Sequence, residues 1–131
     1  MAEFPSIEEV NIMLDEIAEE IPKEFFNKLN EGVILLPKYK HHPESTDGNP
    51  LYILGEYRRS VTGRNIVIYY GSFKRVNNGI SDRALKRKLR DTLLHEFTHH
   101  LESLAGEKGL EIKDAEKLEK FRNSIKEKQK P

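Results

Sequence analysis

The chain has 131 residues, enough to bury a core without disulfide or metal staples, and its 22 Lys plus Arg balance its 22 Asp plus Glu. A net charge of zero excludes an overall field that recruits nucleic acid or an anionic membrane. The absence of cysteine excludes disulfides, thiolate metal ligands and a cysteine nucleophile, and it fits a reducing compartment. Met1 to Ser6 lacks the basic region and apolar run of a signal peptide, and no stretch approaches the roughly 18 apolar residues of a membrane span. The expected protein is soluble and cytoplasmic, one domain over residues 1–131 with a fraying tail from about residue 120.

Ser6 followed by Ile7, Glu8 and Glu9 reads as a helix start, with a hydroxyl to cap free amides and carboxylates in the first turn. Ile7, Val10, Leu14, Ile17 and Ile21 then recur on one helical face, an acidic face opposes them, and Pro22 ends the run. Lys23 to Asn30 predicts a short second helix, broken at Glu31-Gly32. The apolar run Val33 to Leu36, bounded by Gly32 and Pro37, predicts a buried central strand. Turn formers crowd Lys38 to Pro50, which reads as a loop carrying His41 and His42. Leu51 to Tyr57 predicts a second strand, in which Gly55 marks a bulge or a close backbone approach by another chain. Thr62-Gly63 turns the chain into a third strand, Ile66 to Tyr70, antiparallel to the second. Gly71 to Gly79 reads as a connection, and Ser81-Asp82 caps the next helix, whose first turns carry Arg83, Lys86, Arg87, Lys88 and Arg90. After Leu104 the stretch Ala105-Gly106-Glu107-Lys108-Gly109 predicts the stop of that helix, and a last one is expected from about Ile112 with Ala115, Leu118, Phe121 and Ile125 inward.

The chemistry concentrates in Leu93-Leu94-His95-Glu96-Phe97-Thr98-His99-His100, which holds the pattern H-E-x-x-H. Leu85, Leu89, Leu93, Phe97, Leu101 and Leu104 recur at three and four, so the segment is helical and buries that stripe. At about 100° per residue His95 and His99 stand roughly opposite the stripe, one turn apart, where two neutral imidazoles reach one cation. Zinc is the metal this pair suits, with one coordination position left to water. Glu96 is assigned to proton transfer rather than coordination. Glu102 and Asp91 share the histidine face and suit hydrogen bonding to the ligands, and His100 reads as a packed structural histidine.

A leading helix, a short apolar strand, Leu54-Gly55-Glu56-Tyr57, a strand ending Ile68-Tyr69-Tyr70-Gly71, and the H-E-x-x-H helix together resemble the small bacterial zincin-like metallopeptidases of minimal gluzincin type. The resemblance runs from about Ile7 to Leu118. It implies an α+β fold, a small mixed sheet packed on an active-site helix with helices at both ends, and one zinc held by His95, His99 and a later acid. Family members carry a short H-H-x-G-x-x-D/E pattern, whereas the stretch after His100 is longer here and offers Glu102, Glu107, Glu111 and Asp114. Gly109-Leu110 through Asp114 resembles the family's glycine-to-acid segment after an insertion, so Asp114 is the expected third ligand and Glu107 the alternative.

The function these readings imply is zinc-dependent hydrolysis of peptide or unfolded-protein substrates, with Glu96 as general base and Tyr57 or His42 as candidate donors to the oxyanion. Leu51 to Tyr57 as an exposed edge would pair with an extended substrate. The alternative is a non-catalytic zinc- or peptide-binding module on the same scaffold. Deformylase-like chemistry is disfavoured because it uses a cysteine ligand, and a three-histidine endoribonuclease site because no histidine follows His100.

Overall fold

The structure is a computed structural model that describes residues 3–108 and 118–125. Its order is α1 (Ile7–Glu20), a 3-10 turn (Lys23–Phe26), β1 (Val33–Leu36), β2 (Gly55–Arg59), β3 (Arg64–Tyr69), α2 (Tyr70–Val76) and α3 (Asp82–Lys108); residues 118–125 form a further helical stretch, α4. The class is α+β, as expected. Helix α1 starts where its cap predicts: the Ser6 side chain accepts from Glu9 N–H at 3.1 Å and the Glu9 carboxylate accepts from Ser6 N–H at 3.3 Å, two free amides satisfied reciprocally. Val10, Leu14 and Ile17 are its buried face, and Ile21 continues it past the helix end.

The sheet order is β1-β3-β2, with β1 parallel and β2 antiparallel to β3. This corrects the expectation for Val33 to Leu36, which is an edge strand; the centre belongs to β3, whose Ile66, Val67, Ile68 and Tyr69 are 0–1 % exposed. A central strand is buried on both faces, and among the described strands only β3 is. Three further boundaries differ. The second helix shrinks to the four-residue 3-10 turn. The second strand begins only at Gly55, because 51–53 pairs instead with 40–42: Ile53 N–H donates to Lys40 O at 2.8 Å and His42 N–H to Leu51 O at 2.9 Å. The expected connection after the third strand is largely helical, as α2.

One face of the sheet, Ile66 and Ile68 with Gly55 and Tyr57, looks toward α3. The predicted stripe Leu85, Leu89, Leu93, Phe97, Leu101 and Leu104 is buried there throughout, with Phe97 edge-on to Phe26 at 4.9 Å. Ser81 Oγ accepts from Ala84 N–H at 3.1 Å and starts α3 where expected. The helix continues past Leu104 and Gly106, within the stretch expected to stop it, and is described to Lys108. A glycine inside a helix costs about 1 kcal/mol relative to alanine, too little to end a helix already anchored by packing along its length. Leu118 is buried and Phe121 and Ile125 pack on the core, as read; Ala115 lies outside the described residues. The basic residues of α3 and the acidic face of α1 meet: Arg90 pairs with Glu20 at 3.0 Å and Lys86 with Glu16 at 3.7 Å. Among the described residues no helix is long and apolar enough to cross a membrane.

Candidate functional site

A cleft of about 500 Å³ opens between α3 and β2, lined by Ile53, Gly55, Glu56, Tyr57, His95, Glu96 and His99. Its width is set by Gly55. A Cβ built there would stand 3.0 Å from Thr92 Cγ2, 3.1 Å from Ile68 Cδ1 and 3.2 Å from Val67 O, so the strand lies against the helix one turn before His95. The close approach expected at this glycine is therefore to the protein's own helix.

His95 and His99 are exposed into the cleft, opposite the buried stripe, and their Nε2 atoms stand 3.1 Å apart with the rings nearly perpendicular. Burial holds the His95 pKa below the usual histidine range, and the positive charges of His99 and Arg122 add to the depression while Glu102 opposes it. A neutral imidazole with a free lone pair is the form that binds a metal. Glu96, by contrast, is 6 % exposed. Its removal from water pushes its carboxyl pKa up, a tendency that Glu56 reinforces and that His99 and a hydrogen bond from the Tyr57 backbone N–H oppose. In an antiparallel pair alternate residues turn their backbone groups outward. Tyr57 is such a residue on β2, so its N–H points out from the sheet on the side of Glu96. Helix and strand thus hold one carboxylate between them.

Tyr57 reaches the cleft, and its hydroxyl lies 3.0 Å from His100 Nδ1. His100 is fully buried; its Nε2 is 2.8 Å from Asn27 O, which accepts from it, so Nδ1 is left to accept from the Tyr57 hydroxyl. Burial is the main cause that lowers its pKa. His42 is not among the cleft residues; its Nδ1 accepts from Glu44 N–H in the loop, and the neighbouring His41 stacks on Tyr52 at 5.0 Å. Asp91 and Glu102 are exposed on the histidine side of α3. Behind β2, on the face away from α3, Glu56 accepts both from Lys40 Nζ at 2.8 Å and from the Tyr69 hydroxyl, and Arg58 donates to the same hydroxyl at 2.8 Å. Desolvation alone would raise the Glu56 pKa, but the Lys40 and Tyr69 hydrogen bonds outweigh it and the net direction is down.

Among the described residues no third His, Asp or Glu joins His95 and His99 in a cluster that could hold a metal. Asp114 lies outside the described residues, and so does the side chain of Glu107, whose backbone continues α3. One neighbour of the site escaped the sequence reading. Arg122 of α4 donates to Thr98 Oγ1 at 3.1 Å, and Thr98 donates in turn to Leu94 O at 3.0 Å, which places a guanidinium beside the H-E-x-x-H turn. Only the docking of α4 on α3 creates that neighbour, and no spacing in the sequence encodes it.

A family model described as zincin-like metallopeptidase matches residues 7–120. This chain belongs to that family. Among solved structures, a conserved hypothetical protein from T. thermophilus is similar, 35% identical with a TM-score of 0.65 over 77% of this chain and 98% of that one. No match is found among curated proteins. The histidine spacing bears on the zinc that a zincin-like family implies. Two nitrogens each about 2.0–2.1 Å from a tetrahedral zinc stand about 3.3 Å apart, and the 3.1 Å seen here is within a few tenths of an ångström of that. Two imidazoles in a shared cleft at this spacing fit the ion.

Proposed function

We propose that the protein is a zinc-dependent peptide hydrolase. His95 and His99 would hold the ion, with Asp114 as third ligand and Glu107 as the alternative. The reading rests on one observation above the others: two imidazole nitrogens 3.1 Å apart share a cleft with a nearly buried carboxylate. A zinc ion, when bound, supplies Lewis acidity toward the scissile carbonyl and makes water acidic enough to be deprotonated near neutral pH.

The chain's own residues divide the remaining work. Glu96 takes the proton of the attacking water and returns it to the leaving amine; a carboxyl pKa raised by burial makes that return more favourable than it would be for an exposed glutamate. The Tyr57 hydroxyl, carried on the cleft wall, spends its one proton on His100 Nδ1, so it is a poor donor to negative charge on the carbonyl oxygen. An extended peptide or unfolded-protein segment would lie along Gly55 to Arg59, the part of the edge that does not already pair with 40–42.

Glu96→Gln keeps size and hydrogen bonding and removes the base. Zinc binding by equilibrium dialysis should be retained, and cleavage of a mixed peptide library should fall by roughly 100-fold or more. Equal residual cleavage by wild type and Glu96→Gln would defeat the catalytic reading and leave a zinc- or peptide-binding module. His95→Ala and His99→Ala should each abolish specific zinc binding. Asp114→Ala should weaken it more than Glu107→Ala, and the reverse order would move the third ligand to Glu107.

A further inference from the structure

A second cleft, of about 640 Å³, lies apart from the histidines, between the loop that follows β1 and helix α2. Three tyrosines, Tyr39, Tyr52 and Tyr70, wall it together with Gly71, Lys74 and Arg75, and none of its lining residues is acidic. It is a built feature. A Cβ at Gly71 would stand 2.7 Å from Tyr39 N and 2.8 Å from Lys38 C, so only glycine lets the loop lie on the helix. Gly71 N–H donates to Lys38 O at 3.1 Å, and Lys40 N–H donates to the fully buried Ser72 hydroxyl at 3.0 Å, which pins the loop on both sides of Tyr39.

That pinning presents a cation on an aromatic face. The Arg75 guanidinium lies 4.0 Å from the centre of the Tyr39 ring and 6.0 Å from that of Tyr52, and those two rings meet edge-on at 5.8 Å. A guanidinium placed over a ring face keeps N–H donors for an oxyanion, since the ring offers its π-face rather than a lone pair. Neither Lys74 nor Arg75, both exposed, has a carboxylate partner among the described residues, in contrast to Lys86 and Arg90 on α3. Two unmatched cations suit a phosphomonoester, which carries about −1.5 to −2 charges at neutral pH, better than a single carboxylate. The cleft is far larger than a phosphate and falls in the range of about 300–1,000 Å³ typical of small-molecule sites, and its tyrosine walls suit a planar ring system. We infer that this cleft binds a nucleoside monophosphate, its phosphate on Lys74 and Arg75 and its base among Tyr39, Tyr52 and Tyr70.

The site is independent of the hydrolytic reading. Tyr52 lines this cleft and Ile53 the other, and consecutive residues of an extended segment face opposite ways. Isothermal titration of the full chain with adenosine monophosphate, adenosine and inorganic phosphate tests it. Saturable binding of the monophosphate is expected, with adenosine and phosphate each weaker by about tenfold or more, since each forfeits one half of the recognition. Lys74→Gln, which leaves the Arg75–Tyr39 stack in place, and Lys74→Gln/Arg75→Gln should weaken it by about 10- to 100-fold in increasing order, the range expected for losing charge-assisted hydrogen bonds. Their circular dichroism should be unchanged, and Glu96→Gln should bind the nucleotide as wild type does. No heat at millimolar nucleotide, phosphate binding as tightly as the nucleotide, or wild-type affinity in the double variant would each overturn the assignment.

Discussion

The two sides of α3 obey different rules. On one, Leu85, Leu89, Leu93 and Phe97 are almost wholly excluded from water, in one core cluster with residues of α1, the sheet and the 3-10 turn. On the other, His95 and His99 are exposed and touch each other, while Glu96 and His100 occupy the flank between and are buried with specific hydrogen-bond partners. The first side makes the helix, the second uses it, and the flank couples them through Tyr57. The lesson is that the histidines open to the cleft are partnered only by each other, whereas His100 behind them is buried and hydrogen-bonded through both ring nitrogens.

Perturbing each side should separate them by size of effect. Phe97→Ala removes a fully buried ring in contact with Phe26 and should destabilise by about 3–5 kcal/mol in denaturant unfolding. If the loss were under about 1 kcal/mol, the stripe would not be the stabilising side. Gly55→Val should cost about 1–3 kcal/mol through overpacking against Thr92 and Ile68, and should also lower zinc affinity if the strand is pushed off the helix; unchanged stability would mean that the two elements separate freely.

The flank carries a pH dependence. His100 is neutral in the fold with its pKa pushed below the ordinary 6.5, chiefly by burial, so the unfolded chain binds the proton more readily. Its contribution is present above pH 6.5 and is lost as pH falls below it. Wild-type stability should therefore decline on acidification in that range, and His100→Gln, less stable at about pH 8, should show a flatter profile; parallel profiles would remove His100 as the cause. Smallest of all, His95→Ala should change stability by no more than about 0.5 kcal/mol, the usual range for an exposed position, while abolishing zinc binding. A large loss without metal would place His95 on the structural side of the comparison.

What could be read from the sequence follows the same division. The stripe of α3 and the cap of α1 were legible because their signals are local and periodic: Ser6 with Glu9, and six apolar residues at three and four. The identity of the central strand was not. Val33 to Leu36 and Ile66 to Tyr69 are both short apolar runs, and only long-range pairing decides which is flanked on both sides. Helix α2 was hidden by Gly71, which reads as a loop residue but serves a close contact with Lys38 and Tyr39. At the site, His95, Glu96 and His99 announce themselves by spacing, and the structure brings them into one cleft with Tyr57. The hydrogen bond from the Tyr57 backbone and the nearby Arg122 depend on tertiary docking and leave no trace in the motif.

The parallel pairing of β1 with β3 bears on the order in which the chain assembles. β2 and β3 are joined by a tight turn, Ser60 N–H donating to Gly63 O at 2.8 Å, so their hairpin needs almost no loop closure. β1 joins β3 across the whole of the loop and hairpin between them, Val33 opposite Ile66, and must wait for a larger loss of chain entropy to be repaid. The hairpin should therefore gain protection against amide exchange before β1 does during refolding. Because loop entropy rises only about 0.6 kcal/mol for each doubling of length, the stretch between β1 and β2 can lengthen with little loss of stability, but every added residue delays the step that closes the sheet.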